Sequence, residues 1–271
     1  MNKPKISVIT TVRNGEKFIL ETLHSVNKQT YRPIEHVIVD DGSQDATISI
    51  IETFKKQNLD YEIVLFQPNL LDRGKTLNYA ISQSSGEWVA IIDADDLWHP
   101  EKLWEQYKYV ASKYVDIIAT NGNIFTNSSD IIYSNNKETE KNFTPIFLKN
   151  LLMSNVIIHS SVLMKKELCS YDENRKSQYD YELWLRLANQ GYTIIKLNNQ
   201  YTFHRIHLNQ SFEGKMGKKY RWRSFLLQTK YISKNAKNIT IYPIIVAKFI
   251  FYDMLLSRNL RLFIRKKCNI E

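Results

Sequence analysis

Two short acidic runs carry the chemistry legible in this sequence. One is Asp93-Ala94-Asp95-Asp96 and the other is Asp40-Asp41-Gly42-Ser43-Gln44-Asp45. Asp93 and Asp95 present two hard oxygen ligands close together, a donor set that suits Mg²⁺ or Mn²⁺, and such an ion can hold a diphosphate. Taken alone, the Asp-x-Asp pair is equally an acidic turn capping a helix that begins near Pro100. The second run is equally an Asx-turn with a helix cap at Asp45. Finding both turns at strand ends of one alternating unit weakens that reading. Arg73 and Lys75 open an intervening helix and bring positive charge that can neutralise a ligand; a solvated basic face is the alternative for Lys75.

The elements that must position these groups alternate. Lys5–Thr10 is a compact β-branched run, and Glu16–Asn27 has helical periodicity. Ile34–Val39, Tyr61–Phe66 and Trp88–Ile92 read as further strands. Ala46–Lys56, Arg73–Ser84 and a segment from Pro100 to about Val110 read as helices. This order predicts an α/β fold with a mostly parallel central sheet flanked by helices. Ligands gather at the carboxyl ends of such strands, where Asp40, Asp41, Asp93 and Asp95 fall. Beyond Val110 the pattern is less regular. It predicts a hairpin of Asp116–Phe125 with Ile131–Tyr133 and a polar loop over 134–142. A short helix over Phe143–Leu152 and a strand over Ile157–Met164 follow. Tyr179–Asn189 reads as a helix ended by Gly191, and Tyr192–Leu197 and Gln200–Arg205 as closing strands.

The charge separates the last part of the chain from the rest. Residues 214–271 hold 14 Lys/Arg against 2 Asp/Glu, whereas residues 1–213 hold 23 against 26. The basic segment interleaves charge with apolar and aromatic residues from Ile239 to Ile264. Pro243, Lys248 and Asp253 interrupt Ile239–Leu256, so two short amphipathic helices on an anionic membrane surface fit better than a spanning helix. A C-terminal helix packed on the body is the other reading. No zinc-finger, RNP or helix-turn-helix signature accompanies the basic residues, so nucleic acid is not expected as a partner. With 43% apolar and 24% charged residues the chain can bury a sizeable core. Two cysteines, Cys169 and Cys268, exclude a disulfide scaffold. The N-terminus lacks the apolar stretch of a signal peptide, and a cytoplasmic chain is expected.

Several enzyme classes are disfavoured by missing motifs. There is no Walker A loop, no G-x-G-x-x-G fingerprint and no G-x-S-x-G elbow. The segments that are present, ISVITTVRNGEKFILETLHSVNKQTY, EHVIVDDGSQDAT, DRGKTLNYAISQSSGEWVAIIDADDLWHPEKL, NVIIHSSVLMKK and YDYELWLRLANQGY, resemble in order those of family 2 glycosyltransferases with the GT-A (Rossmann-like) fold. The resemblance covers about residues 5–205. It implies transfer of a sugar from a nucleotide diphosphosugar to an acceptor hydroxyl with inversion, with Mn²⁺ or Mg²⁺ as cofactor.

The same resemblance distributes roles. Thr11 and Asn14 match the nucleotide-facing loop, Asp41 the base-reading residue, and Arg73 the group beside base and phosphates. Asp93 matches the first carboxylate, near ribose and metal, and Asp95 the principal metal ligand. Asp180 matches the catalytic base, although Tyr179 stands where the family usually has a glutamate; a helix cap is the alternative for Asp180. His207 falls in an Arg-x-His segment that contacts the metal or diphosphate. His159 borders the acceptor segment, and a structural histidine is the alternative for both. Trp184 reads as core, whereas Trp98, directly after the acidic pair, reads as more open and able to stack on a sugar.

The implied division is a catalytic domain over 1–212, with a nucleotide-sugar half over about 1–98 and an acceptor half over about 99–212, followed by a basic amphipathic helical tail over 213–271. UDP is the first donor nucleotide to expect, and a glycan or lipid-linked glycan of a cell-surface polysaccharide the acceptor. The tail places the chain peripherally at the inner face of the cell membrane or forms a homodimer contact. Two competing classes remain: a catalytically silent sugar-nucleotide-binding scaffold on the same fold, and a nucleotidyltransferase. The latter lacks its Gly-rich N-terminal loop here.

Overall fold

The first, second and fourth strands are buried on both faces, which is what a parallel sheet covered by helices requires. The computed structural model describes residues 3–32, 34–58, 62–110, 114–131, 133, 142–207, 217–234 and 236–251. Strands β1 (Ile6–Val12), β2 (Ile34–Asp40), β3 (Glu62–Phe66) and β4 (Trp88–Ile91) are linked by α1 (Ile19–Asn27), α2 (Thr47–Gln57) and α3 (Arg73–Gln83). All of their mutual pairings are parallel. Helix α1 buries Ile19, Thr22, Leu23 and Val26, the i, i+3, i+4, i+7 stripe of a helix lying on a sheet. Asp72 caps α3 by accepting from the backbone N–H groups of Gly74 and Lys75.

The remaining elements are β5 (Leu97–Trp98), α4 (Lys102–Val110), β6 (Ile117–Phe125), β7 (Phe143–Ile146), α5 (Leu148–Met153), β8 (Leu163–Lys165), α6 (Tyr179–Asn189), β9 (Ile194–Arg205), α7 (Gly217–Ser233) and α8 (Tyr242–Lys248). The sheet order is β3-β2-β1-β4-β8-β6-β9-β5, with β7 pairing β9. Strand β8 runs antiparallel to both β4 and β6, and β5 runs antiparallel to β9. The sheet is therefore parallel in its first half and mixed beyond it.

The second half departs from the sequence reading in four places. Strand β6 pairs with β8 and β9 and forms no hairpin with 131–133, of which Ile131 and Tyr133 are not strand and residue 132 lies outside the described residues. Phe143–Leu152 splits into β7 and α5 at Phe147. The expected strand over Ile157–Met164 is a 3₁₀ turn at His159–Ser161 followed by the three-residue β8. The two expected closing strands are one, β9, with register shifts opposite Thr120–Gly122. Continuous β-branched and aromatic composition cannot distinguish these outcomes, because they depend on which neighbour each strand meets. Most of the expected polar loop and residues 208–216 lie outside the described residues.

The chain clusters into two units. The first comprises 1–145, 157–174 and 193–206, and contains the sheet. The second comprises 146–156, 175–192 and 207–271, and contains α5, α6, α7 and α8. In the second unit Tyr181 donates its hydroxyl to the Leu151 carbonyl, and Gln228 Nε2 donates to Tyr181 Oη at 3.1 Å. Tyr231 Oη donates to Glu182 Oε1 at 2.8 Å, so α7 is fastened to the buried side of α6. Among the described residues no helix is long and apolar enough to cross a membrane.

Candidate active site

The carboxyl ends of β1 and β2 end side by side, with Thr11 opposite Val39 and Val12 opposite Asp40. Two loops leave from there and are laced together. Asn14, in the left-handed region at φ 54°, donates its backbone N–H to Ser43 Oγ, and its Oδ1 accepts from Gln44 N, both at 2.8 Å. Gly15 N donates to Thr47 Oγ1 at 2.8 Å, and Ala46 N to Glu16 Oε2 at 2.9 Å. Asp41 N donates to Val12 O at 2.8 Å. Thr11, Asn14 and Asp41 are thereby brought to one edge of the sheet. Buried Asp40 turns the chain by accepting from Gly42 N and Ser43 N, and its Oδ2 has no partner among the described residues.

Asp41 is tied to the approach of α3. Its Oδ1 accepts from Leu71 N at 2.7 Å. Leu71 and Asn69 both take positive φ, at 55° and 53°, in the segment that leads to the Asp72 cap. Asn tolerates this conformation, whereas for Leu71 it is strained, and the strained residue is the one whose N–H meets the carboxylate. Gly42, at φ 87°, leaves room for the same segment: a Cβ there would lie 2.5 Å from Asn69 Oδ1.

Arg73, next to the cap, reaches across to the other acidic run. Its Nη2 donates to Asp93 Oδ1 at 2.7 Å. The same oxygen faces His159 Nδ1 at 3.2 Å, while His159 Nε2 is 2.8 Å from Tyr171 Oη. Burial acts to raise the Asp93 pKa, but the Arg73 charge and His159 outweigh it and hold the carboxyl well below the usual carboxylate range. Asp93 is therefore ionised and oriented by two partners on one oxygen.

The turn that follows is held from several sides. Asp93 N donates to Ser160 Oγ at 3.0 Å, and Ser160 Oγ donates to Asp96 Oδ2. Asp96 is fully buried; Arg205 N donates to its Oδ1 at 2.9 Å and His204 Nδ1 lies 3.1 Å from both oxygens. Asp96 raises the His204 pKa to about 10 against the opposing effect of burial, with Asp93 and Asp95 adding to the rise. Thr22 Oγ1 donates to the carbonyls of Ala94 and Asp96. Arg205 Nε donates to Asp95 O at 2.8 Å and Nη2 to Glu21 Oε2 at 2.8 Å. The Arg205 guanidinium lies 4.4 Å from the ring centres of both Phe18 and Phe125.

The first unit thus brings Thr11, Asn14, Asp41, Arg73, Asp93 and Asp95 to the strand ends, and adds Asp96, Ser160, Tyr171, His204 and Arg205. Asp96 had a signal, since it adjoins the acidic pair. The roles of Ser160 and Arg205 come from pairing between segments far apart in sequence. Trp98 is not open: it is buried, and its Nε1 donates to Ser160 O at 2.6 Å, so it supports the acidic turn from within the core. Trp184 is buried as expected.

Asp180 and His207 belong to the second unit. Asp180 lies in the first turn of α6, behind Gln178 at φ 60°, and its Oδ2 accepts from Asn155 Nδ2 at 3.1 Å. Tyr179, in place of the family's glutamate, donates its hydroxyl to Arg175 O at 2.9 Å. His207 is half-buried and follows Ile206 directly after β9.

No cluster of three or more His, Cys, Asp or Glu side chains among the described residues forms a closed metal cage. Two carboxylates on one turn fit a hard divalent ion that takes its remaining oxygens from phosphate and water, the usual arrangement for Mg²⁺ in nucleotide sites.

Comparison with known proteins agrees with this architecture. The chain is 24% identical over 267 residues to an uncharacterised glycosyltransferase of Methanocaldococcus jannaschii, covering 93% of this chain and 89% of that one. It is 30% identical over 181 residues to the poly(ribitol-phosphate) beta-N-acetylglucosaminyltransferase TarS of Staphylococcus aureus, covering 65% of this chain and 31% of TarS. The crystal structure of TarS 1-349 in complex with UDP-GlcNAc superposes with a TM-score of 0.70 at 20% identity, over 91% of this chain and 73% of that one. The mannosyltransferase PcManGT of Pyrobaculum calidifontis, in complex with GDP-Man and Mn²⁺, superposes with a TM-score of 0.63 at 20% identity, over 91% and 69%. The family described as Glycosyl transferase family 2 matches residues 7–169. With its GT-A-like sheet and that match over more than half its length, the chain belongs to glycosyl transferase family 2.

Proposed function

We propose that this enzyme moves a sugar from a nucleoside diphosphosugar, UDP-linked first, to a hydroxyl of a glycan or lipid-linked glycan in cell-surface polysaccharide synthesis, with inversion at the anomeric carbon. The observation that carries the reading is the pair of tethers Leu71 N to Asp41 and Arg73 to Asp93. They join the two acidic runs through one segment at the strand ends. The base would lie against Asp41, whose carboxylate accepts N–H donors, with Thr11 and Asn14 lining the nucleotide. Arg73 would neutralise charge on the diphosphate as it leaves. Asp95 and Asp93 would hold Mn²⁺ or Mg²⁺, and His207 is assigned to the diphosphate or metal. Such an ion supplies Lewis-acid stabilisation of the leaving diphosphate.

Asp180 acts as general base and takes the proton of the acceptor hydroxyl. Asn155 holds one of its oxygens and leaves the other for that proton. The acceptor oxygen attacks the anomeric carbon from the face opposite the diphosphate; one displacement needs no enzyme nucleophile, so the configuration inverts. The acceptor assignment draws on TarS, whose name gives a poly(ribitol-phosphate) acceptor. A position at the inner face of the cell membrane, with the basic tail in contact with it, belongs to the same proposal, and a homodimer contact through the tail is its alternative.

The test is a donor panel. Purified chain with Mn²⁺ or Mg²⁺ is incubated with individual UDP-, GDP- and dTDP-sugars and a lipid-linked glycan extract, and products are read by mass spectrometry. One donor should be consumed with the same sugar gained by the extract, and Asp180→Asn and Asp95→Ala should abolish both signals. Folded, metal-binding chain with no turnover of any donor would move the assignment to a silent sugar-nucleotide-binding protein.

A further inference from the structure

Helix α7 has an inner and an outer face, and the outer one is chemically unlike a solvated helix surface. Leu227, Gln228, Tyr231 and Ile232 are buried. The exposed positions are the adjacent Lys218 and Lys219 and then Trp222, Leu226, Lys230 and Ser233 at intervals of three or four, and therefore on one stripe. Trp222 is 48% exposed and Leu226 47%, and lysines bracket them at both ends. Residues 239–251 repeat the pattern. Ile239, Ile244, Ile250 and Phe251 are all more than half exposed, with Phe251 at 64%. Ile245 and Phe249 are buried between them, so burial alternates with exposure as it does on a helix packed on one side.

The two exposed stripes adjoin. Phe249 stacks on Phe225 with ring centres 4.4 Å apart, and Trp222 lies 5.5 Å from Phe249. Exposed apolar groups this large rarely collect on a soluble surface without a partner. The charge identifies the partner. Residues 217–251 contain eight Lys/Arg and no Asp/Glu. A second copy placed on this face by a two-fold axis would set lysine against lysine. An anionic lipid surface would accept the lysines at its headgroups and the Trp, Leu, Ile and Phe side chains at the acyl boundary.

We infer that the outer stripe of α7 and the exposed side of residues 239–251 form one docking surface for an anionic lipid bilayer, inserted at the interface rather than only held by charge. This names the surface behind the membrane contact proposed above. It depends on no assignment in the catalytic site.

The experiment is co-sedimentation of the full chain with vesicles of phosphatidylcholine alone and of phosphatidylcholine mixed with phosphatidylglycerol, at low and high salt. Binding should require phosphatidylglycerol and weaken with salt, and each of Lys218→Ala, Lys219→Ala and Lys230→Ala should weaken it about fivefold. Trp222→Gln with Ile244→Gln should abolish binding at low salt while the melting midpoint falls only slightly, since both side chains are about half exposed and only Trp222 gives up ring contacts, to Phe225 and Phe249. Asp95→Ala should sediment as the unaltered chain does, so loss of the reaction reading leaves this result standing. Three outcomes overturn the inference. One is no sedimentation with anionic vesicles at low salt, and another is binding indifferent to the Trp222/Ile244 pair. The third is a dimer in sedimentation equilibrium that the same pair dissociates.

Discussion

The side chain of Arg205 donates from Nε to the main-chain carbonyl of Asp95 at 2.8 Å, while its backbone N–H donates to the side chain of Asp96 at 2.9 Å. One residue at the end of β9 therefore grips both the backbone and the buried carboxylate of the acidic turn. The guanidinium is itself immobilised between Phe18 and Phe125 and by Glu21. The acidic turn, which carries the proposed metal ligand Asp95, gains its precision from such partners.

Arg205→Lys keeps the charge and loses the planar fork and the bond to Asp95 O. Affinity for Mn²⁺ in the presence of UDP, measured by calorimetry, should fall about 10- to 100-fold, the usual cost of removing a supporting group around a metal ligand. Asp95→Ala should remove the binding. A variant that melts earlier yet binds Mn²⁺ as tightly as the unaltered chain would show that Arg205 only stabilises the fold.

Asp180→Asn removes the proposed base and keeps its shape. Turnover should fall about 10²- to 10⁴-fold with little change in donor KM. Asn155→Asp is a sharper probe. It is isosteric, but it exchanges the N–H that holds Asp180 Oδ2 for a second carboxylate. The acid limb of the turnover–pH profile should move to higher pH, because two adjacent carboxylates resist ionising together. If Asp180→Asn retains most of its turnover, the base lies elsewhere.

The gathering of the two acidic runs and Arg73 at the strand ends was legible in the sequence. Strand, acidic turn and helix recur there with short connections, so Asp41, Arg73, Asp93 and Asp95 could be placed at strand ends from local pattern alone. Ser160, His204 and Arg205 escaped it. Their contacts to the acidic turn span 64 residues or more, through β-pairings that composition does not encode. Trp98 was misread for the same reason. Its position after the aspartates suggests an opening, but its indole finds a carbonyl at Ser160 inside the core. The outward stripe of α7 was also hidden, because lysine, tryptophan and leucine at that spacing read as core or surface until the buried side is known.

Gly42→Ala tests whether the strained approach to Asp41 matters for the nucleotide. At φ 87° an alanine is disfavoured by about 1–2 kcal/mol, and its Cβ would also press on Asn69 Oδ1. The Asn69–Leu71 segment should shift and release the Leu71 N–H from Asp41. UDP affinity should fall more than stability does, read by titration calorimetry beside thermal melting. Equal affinity with a lowered melting midpoint would confine the effect to folding.

Two buried groups on β2 make the fold sensitive to acid in overlapping windows, the first opening near pH 6.5 and the second near pH 4.5. Burial lowers the His36 pKa from 6.5 to about 3, with its Nε2 against Thr10 Oγ1 at 2.8 Å. The folded chain keeps this imidazole neutral while the unfolded chain protonates it, so stability is complete above about pH 6.5 and drains as pH falls toward 3. For Glu35, burial acts to raise the pKa, but hydrogen bonds from Ser7, Ser85 and Lys5 outweigh it and lower the value from 4.5 to about 2. Its contribution, on the order of 3 kcal/mol, is present above about pH 4.5 and lost as pH falls through 2. Melting midpoints followed from pH 7 to pH 3 should therefore decline from about pH 6.5. His36→Gln should flatten the first part of that decline. Glu35→Gln should melt earlier at pH 7 and lose the steepening below pH 4.5; a midpoint that holds level from pH 7 to pH 5 in the unaltered chain would contradict the buried neutral imidazole.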